Sequence, residues 1–315
     1  MEIDTAELLA RHGRNPFSGF VRYDAPWRWF ETDGGAAPYL EHGRVALAWA
    51  DPLAGDSEEF LREFTRELRA RRRRRICCVL IGEDVARAAR ALGYVVLKIG
   101  EQPYFDFTTW RLPRGDPGKH LRWCLNVAHR AGVEVREYRS GDDADVLDAL
   151  AAWESGLGRA PADSFLRASP LARIDEKRLF LAWRDGRVDA VVACSPVPAA
   201  GGWLLEDLIR RPDAANGATE AAVVHALATL AEDGAACAWL DLAPLRGFES
   251  QIDWRARLLF SALGPLVSFF DGRYHFRALT TYLGKFQPTS WTPRYVALKP
   301  VLPTPSLVRA LRALL

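Results

Sequence analysis

The sequence is poor in the features that assign a protein to a class at a glance. No run of its 315 residues approaches the ~18 consecutive apolar residues that read as a membrane-spanning helix, so none is expected. The first fifteen residues, MEIDTAELLARHGRN, are charged and have no apolar core, so no secretory leader is expected. The cysteines are few and include no CxxC pair. Cys77, Cys78, Cys124, Cys194 and Cys237 lie mostly in apolar runs and read as reduced core residues of a cytoplasmic chain. The six histidines show no HExxH-like spacing, so neither a metal nor any other cofactor is expected. Charge of one sign is also missing. The formal net charge is +2, which excludes a global polycation, and no DNA partner is expected. Lysine is scarce, only five of the 42 basic residues, so a cluster of arginines says little by itself.

What is present is an alternation of two periodicities. Strand-like runs at WRWFE (27–31), APYLEH (37–42) and RVALAWADP (44–52) precede a helical stretch, DSEEFLREFTRELRARRRRR, with Asp56 or Ser57 as its cap. A buried-type strand ICCVLIG, a helix ending at Gly93 and a strand YVVLKIG follow, giving β-α-β-α-β and a mixed α/β sheet. DPGKHLRWCLNVAHRAG (116–132) reads as a linking helix. The second half opens with VEVREYR and a helix, then a hairpin over 178–197 turned at Asp185-Gly186. The strand WLLEDLI, an alanine-rich helix to Gly234, the strand CAWLDLAPL, a helix from about Trp254 to Leu263, RYHFRALTTYLGKF and a last strand PRYVALK complete it. Both halves place a β-meander before a β-α-β unit. The expected division is a first lobe with its linking helix over 1–132, a second over 133–299, and an amphipathic tail over 300–315.

The stretch EDLIRRPDAANGATEAAVVHAL raises the functional question. A strand, a small-residue loop and a helix N-terminus make an anion site, because the N–H groups of the first turn are free. The order of strand, hairpin, strand, loop, helix and strand resembles the core of the GNAT acyltransferase fold. Its loop, however, has only Gly217, with Asp213 and Asn216 before it, which makes a poor diphosphate cradle. A connection that binds nothing is the alternative.

LLEDLIRRPDAANGATEAAVVHAL, WLDLAPLRG and YHFRALTTYLGKFQPTSWTPRYVAL together resemble the C-terminal domain of bacterial phosphatidylglycerol lysyltransferases. YVVLKIGEQPYFDFTTWRL and KHLRWCLNVAHRAG in the first half fit the same family, so the resemblance covers roughly residues 18–298. It implies α/β architecture with two tandem GNAT-like lobes and an aminoacyl-tRNA donor in place of acyl-CoA. The acceptor is then a small-molecule amine, hydroxylamine or hydroxyl, or a lipid headgroup. An acyl-CoA-dependent N-acyltransferase and a non-catalytic binding protein on the same fold are the rivals.

Transfer from an activated ester needs an anchor for phosphate, a counter-charge for the amino acid's ammonium and a base. Glu206 and Asp207 alternate on one strand and are expected on opposite faces. Asp207 matches the family's aspartate and is assigned to the cleft, with Glu206 the second catalytic candidate or a structural partner of Arg210 or Arg211. Lys285 is the candidate oxyanion or phosphate contact, expected with Asp207 on the walls of one transfer cleft. The family often has a lysine at the position of Leu283. Arg210, Asn216, Gly217, Arg246, Tyr282 and Arg294 are candidate substrate contacts. Arg122, Asn126 and Arg130 share a helix face, and Arg122 and Arg130, with Arg72 and Arg74 of the arginine run, are candidate tRNA contacts. Solvated charge is the alternative for these arginines. The tail is expected to pack on its own protein, with peripheral membrane contact as the alternative.

Overall fold

The computed structural model describes residues 4–23, 26–71, 75–156, 169–248 and 276–299. It opens with α1 (Thr5–His12) and a 3₁₀ segment, Pro16–Arg22, neither of which was expected as an element. A meander follows, of β1 (Arg28–Thr32), β2 (Gly35–His42) and β3 (Val45–Trp49), with a two-residue β4 (Leu53–Ala54). Next come α2 (Ser57–Ala70), β5 (Arg75–Ile81), α3 (Glu83–Ala91) and β6 (Val95–Asp106). The linking helix α4 (Lys119–Arg130) leads to β7 (Glu134–Glu137) and α5 (Asp143–Gly156). The hairpin of β8 (Arg178–Arg184) and β9 (Arg187–Val197) precedes β10 (Gly202–Arg210) and α6 (Ala218–Glu232). β11 (Cys237–Leu240), a two-residue β12 (Ala243–Pro244), α7 (Phe276–Gly284) and β13 (Ser290–Lys299) end it. The helix expected at 254–263 and the tail 300–315 lie outside the described residues.

Local chemistry accounts for these elements. Asp56 caps α2 by accepting from the N–H groups of Glu58 and Glu59, and the helix buries Phe60, Leu61, Phe64 and Leu68 as one stripe. Asp185 and Gly186 both adopt positive φ, the geometry a two-residue hairpin turn requires. All five cysteines are buried and unpaired.

The described strands form one continuous sheet in the order β1-β2-β3-β5-β13-β6-β11-β10-β9-β8-β7. β13, last in the chain, lies antiparallel between β5 and β6 and so ties the two ends of the sequence together. Two adjacent pairs are parallel, β3 with β5 and β10 with β11, and each pair is joined through a helix, α2 or α6. On one face, α6 covers Phe180, Val192, Leu205 and Leu240, and α2 and α3 cover Ala46, Cys78 and Val96. On the other, α1 and the 3₁₀ segment lie over Leu47, Val79 and Leu204, and α5 lies over Val191, Ala193 and Ile209. The fold is thus mixed α/β, as expected, with the described strands of both halves in one large mixed sheet.

Candidate active site

β10 and β11 are paired in parallel only from Gly202–Cys237 to Leu205–Leu240. Beyond Leu205 and Leu240 they separate, and the fork opens at the carboxyl ends of the strands, where open α/β sheets take their ligands. Glu206 sits at its apex. The register of β10 against β9 jumps from Leu205–Cys194 to Asp207–Ala193, so Glu206 is the extra residue of a β-bulge. This overturns the expected alternation. Asp207 faces the side of Ala193, and Glu206 is turned to the same side, toward Tyr23 and Lys177.

Glu206 is buried and neutralised. Its Oε1 accepts from the Tyr23 hydroxyl at 2.7 Å and lies 2.6 Å from Lys177 Nζ. The Lys177 and Glu206 side chains are 2% and 4% exposed, and the ammonium also lies 4.8 Å from the Tyr23 ring centroid. Lys177 makes a close ion-pair contact without an aligned hydrogen bond. The partner of Glu206 is therefore Lys177, not Arg210 or Arg211. Burial, then the charges of Glu206 and Asp207, push the Tyr23 phenol well up, so it stays a hydrogen-bond donor. The 3₁₀ segment that delivers Tyr23 is pinned by Arg22, which pairs with Glu176 next to Lys177.

Asp241 follows the last paired residue of β11 on the opposite arm. It keeps an exposed surface, yet it is crowded enough that desolvation pushes its carboxyl up to about 6, with Glu206 adding to the rise. Its Oδ1 accepts from the backbone N–H of Leu242 at 2.6 Å. A carboxyl poised near neutral pH at the mouth of a fork suits proton transfer. Asp241, Tyr23 and Lys177 were not among the expected site residues. The available signal was positional: Asp241 stands where an apolar strand run ends in front of a loop.

The start of α6 forms a second group on the other face of the sheet. Lys285 Nζ lies 3.0 Å from Glu220 Oε1 in the first turn of α6, and 5.0 Å from the ring centroid of Tyr282. Among the described residues the buried Tyr282 hydroxyl has no partner, and neither does that of Thr219, which precedes Glu220. Register and packing thus put Asp207 and Lys285 on opposite faces of the sheet, so only a cleft that passes through the fork has both on its walls. Leu283 is fully buried among Phe286 and the α6 residues, so the position where the family often has lysine is a core position here.

The loop before α6 is held by its own side chains. Arg187 pairs with Asp213 at 2.7 Å, Asp189 accepts from the Ala215 N–H at 2.9 Å, and Arg210 donates to the Ala214 carbonyl at 3.1 Å. Asn216 is exposed. Gly217 has φ +87°, and a Cβ there would stand 2.1 Å from the Cys124 carbonyl oxygen of α4. Its glycine is explained by the close approach of α4, not by a phosphate cradle.

Of the remaining candidate arginines, Arg246, Arg294 and Arg122 are committed within the protein. Arg246 lies 2.8 Å from Glu101, which also pairs with Lys98 at 2.6 Å, and its guanidinium covers Trp291 at 3.9 Å. Arg294 is 4% exposed and donates through Nε and Nη2 to Gln102 Oε1 at 3.0 and 2.9 Å. It is a core cation beside Asp51, far from the surface contact expected of it. Arg122 donates to the carbonyls of Pro113 and Gly115, at 3.1 and 2.7 Å. Arg130 is exposed at the end of α4. Arg72 and Arg74 lie outside the described residues. Among the described residues no group of His, Cys, Asp and Glu could hold a metal ion, and no helix is long and apolar enough to cross a membrane.

Comparison with known proteins gives the arrangement a context. The family model described as phosphatidylglycerol lysyltransferase, C-terminal, matches residues 6–298. The C-terminal DUF2156 domain of a protein assigned as a lysylphosphatidylglycerol synthetase from Agrobacterium fabrum superposes with a TM-score of 0.75 at 20% identity, over 98% of this chain and 96% of that one. L-PGS from Bacillus licheniformis gives 0.75 at 18% identity, again over 98% and 96%. FemX gives 0.60 at 9% identity, over 94% of this chain and 96% of that one. No curated protein matched the sequence.

Proposed function

The chain belongs to the phosphatidylglycerol lysyltransferase C-terminal family, and we propose that it moves an amino acid from aminoacyl-tRNA to an amine, hydroxylamine or hydroxyl acceptor, on a small molecule or a lipid headgroup. The observation that carries this reading is the charge of the fork. Glu206, Asp207 and Asp241 gather at the fork, and Glu206 raises the Asp241 carboxyl across it while pairing with Lys177. A carboxylate-rich fork suits an acyl group that bears an ammonium, as an aminoacyl ester does and a simple acyl thioester does not. The loop before α6 points the same way. The hairpin arginines beside it, Arg184 and Arg187, are spent on Asp189 and Asp213, and α4 closes on Gly217, so it lacks the open glycine cradle that a CoA diphosphate needs.

In this reading the donor's 3′ end approaches from the α6 face, where Lys285 meets its phosphate. The aminoacyl group passes into the fork. Asp207 holds its ammonium, and Asp241 takes the proton from the acceptor's nucleophile as that atom attacks the ester carbonyl. The C–O bond to the ribose then breaks, and the 3′ oxygen leaves with a proton from solvent. Lys177 and Tyr23 hold Glu206 and thereby the bulge that orients Asp207.

The test is whether bulk tRNA, charged with one radiolabelled amino acid at a time, transfers label to small amine, hydroxylamine and hydroxyl acceptors or to phosphatidylglycerol vesicles. Transfer from charged tRNA, but not from acetyl-CoA, supports the reading. Transfer from acetyl-CoA alone would replace it with the acyl-CoA alternative.

A further inference from the structure

On the outer face of α4, Lys119, Trp123, Asn126 and Arg130 recur at helical spacing and are all exposed. Trp123 is 55% exposed, more than any other large hydrophobic side chain among the described residues. The His120 ring lies over it with centroids 5.8 Å apart and an interplanar angle of 12°, which fixes the indole as a flat, open surface. The helix has no acidic residue, and cations stand at both ends of the exposed face. Flat aromatic area flanked by cations on a helix without carboxylates is complementary to a single-stranded polynucleotide, whose bases stack while its phosphates pair.

Position adds to this. Cys124, next to Trp123, contributes the backbone carbonyl that closes on Gly217 at the start of α6. The aromatic face therefore adjoins the helix start to which the donor's 3′ end is assigned. We propose that the Trp123–His120 pair is a stacking platform for an unpaired base of the donor RNA's single-stranded 3′ end, with Lys119 and Arg130 on the flanking phosphates. This rests on the aminoacyl-tRNA reading and specifies how that donor is gripped. Arg122, expected on the same surface, is instead occupied by the carbonyls of Pro113 and Gly115.

The probes are two RNA minihelices of one stem sequence, one with a four-nucleotide single-stranded 3′ end and one blunt, titrated by fluorescence anisotropy at fixed salt. The wild type prefers the overhang. Trp123→Ala weakens overhang binding about tenfold, within the range for loss of one base–aromatic stack, and leaves blunt binding unchanged. Trp123→Phe keeps most of the preference, which separates stacking from damage to the fold. Lys119→Ala with Arg130→Ala weakens both probes alike and flattens the salt dependence. The platform is overturned if Trp123→Ala binds the overhang like the wild type while the wild type still takes amino acid from charged tRNA; the donor reading then survives. It is equally overturned if Trp123→Ala changes the sedimenting mass and not RNA affinity, which assigns the face to a second copy of the chain. A wild type that binds neither minihelix removes the platform and the donor reading together.

Discussion

Each parallel strand pair in the sheet ends in a fork, and the two forks are finished in opposite ways. Where β3 and β5 part, beyond Trp49 and Val79, the gap is sewn shut. Asp51 accepts from the Gly82 N–H at 2.7 Å and the Asn15 amide at 3.0 Å, and Asn15 also donates to the Leu80 carbonyl at 2.9 Å. Arg294 and Gln102 of β13 and β6 fill the space beside them. Ala50 and Leu80, at the two points of divergence, both adopt positive φ, a strain held by this network. Where β10 and β11 part, Glu206 is tied down by Lys177 and Tyr23, but among the described residues Asp241 has only the adjoining Leu242 N–H. Topology brings carboxylates to the end of both parallel pairs. The donors that meet them decide whether the carboxylate is structure or chemistry.

That contrast breaks most sharply at Asp207. Asp207→Asn keeps the shape of the side chain and removes its charge. Single-turnover transfer from charged tRNA falls by ~10³-fold if this carboxylate holds the reacting ammonium. A thermal melt like the wild type's accompanies the loss; wild-type rates would remove Asp207 from the second fork's chemistry. Lys285→Ala acts from the other face of the sheet and costs ~10²-fold, as one electrostatic stabiliser does. Because Lys285 pairs with Glu220, the double variant with Glu220→Gln separates a direct role from release of the buried glutamate.

The first fork responds in stability. Arg294→Met strands Asp51 and Gln102 in the core and lowers unfolding free energy by about 3 kcal/mol in a urea titration, with transfer per folded molecule unchanged. A neutral result would show the network to be dispensable. A finer measurement concerns Asp241. Its folded pKa, about 6, lies above the ordinary carboxyl value. The stability it contributes is therefore fully present below the unfolded value and lost as pH rises through about 6. Asp241→Asn removes this dependence, so the variant gains in melting temperature relative to wild type at pH 7.5 and shows no gain at pH 4. Equal differences at both pH values would place the carboxyl in ordinary solvent.

Much of this was legible in the sequence, and the omissions share a cause. Both β-α-β units, the Asp185-Gly186 hairpin and the Asp56 cap follow from local periodicity and turn chemistry, which act over a few residues. The family resemblance located β10, α6 and the Lys285 segment. Hidden from it was everything set by residues far apart in the chain. Tyr23 reaches Glu206 across 183 positions, and Arg294 reaches Gln102 across 192. The bulge at Glu206 turns two adjacent carboxylates to one side, which no alternation rule gives. Gly217 read as a phosphate-loop glycine because a loop before a helix looks the same whether an anion or a neighbouring helix fills it. Scarcity of lysine singled out Lys285, yet by the same reasoning Lys177 had an equal claim and proved the more deeply buried.

The account turns on the assignment of chemistry to the second fork and structure to the first. The direct comparison is Asp241→Asn beside Asp51→Asn, each assayed for single-turnover transfer from charged tRNA at pH 7.5 and for melting temperature. The account predicts that Asp241→Asn loses at least ~10²-fold in rate with no loss of melting temperature. It predicts that Asp51→Asn melts several degrees lower and transfers at the wild-type rate per folded molecule. A slow, stable Asp51→Asn beside an active Asp241→Asn would contradict it.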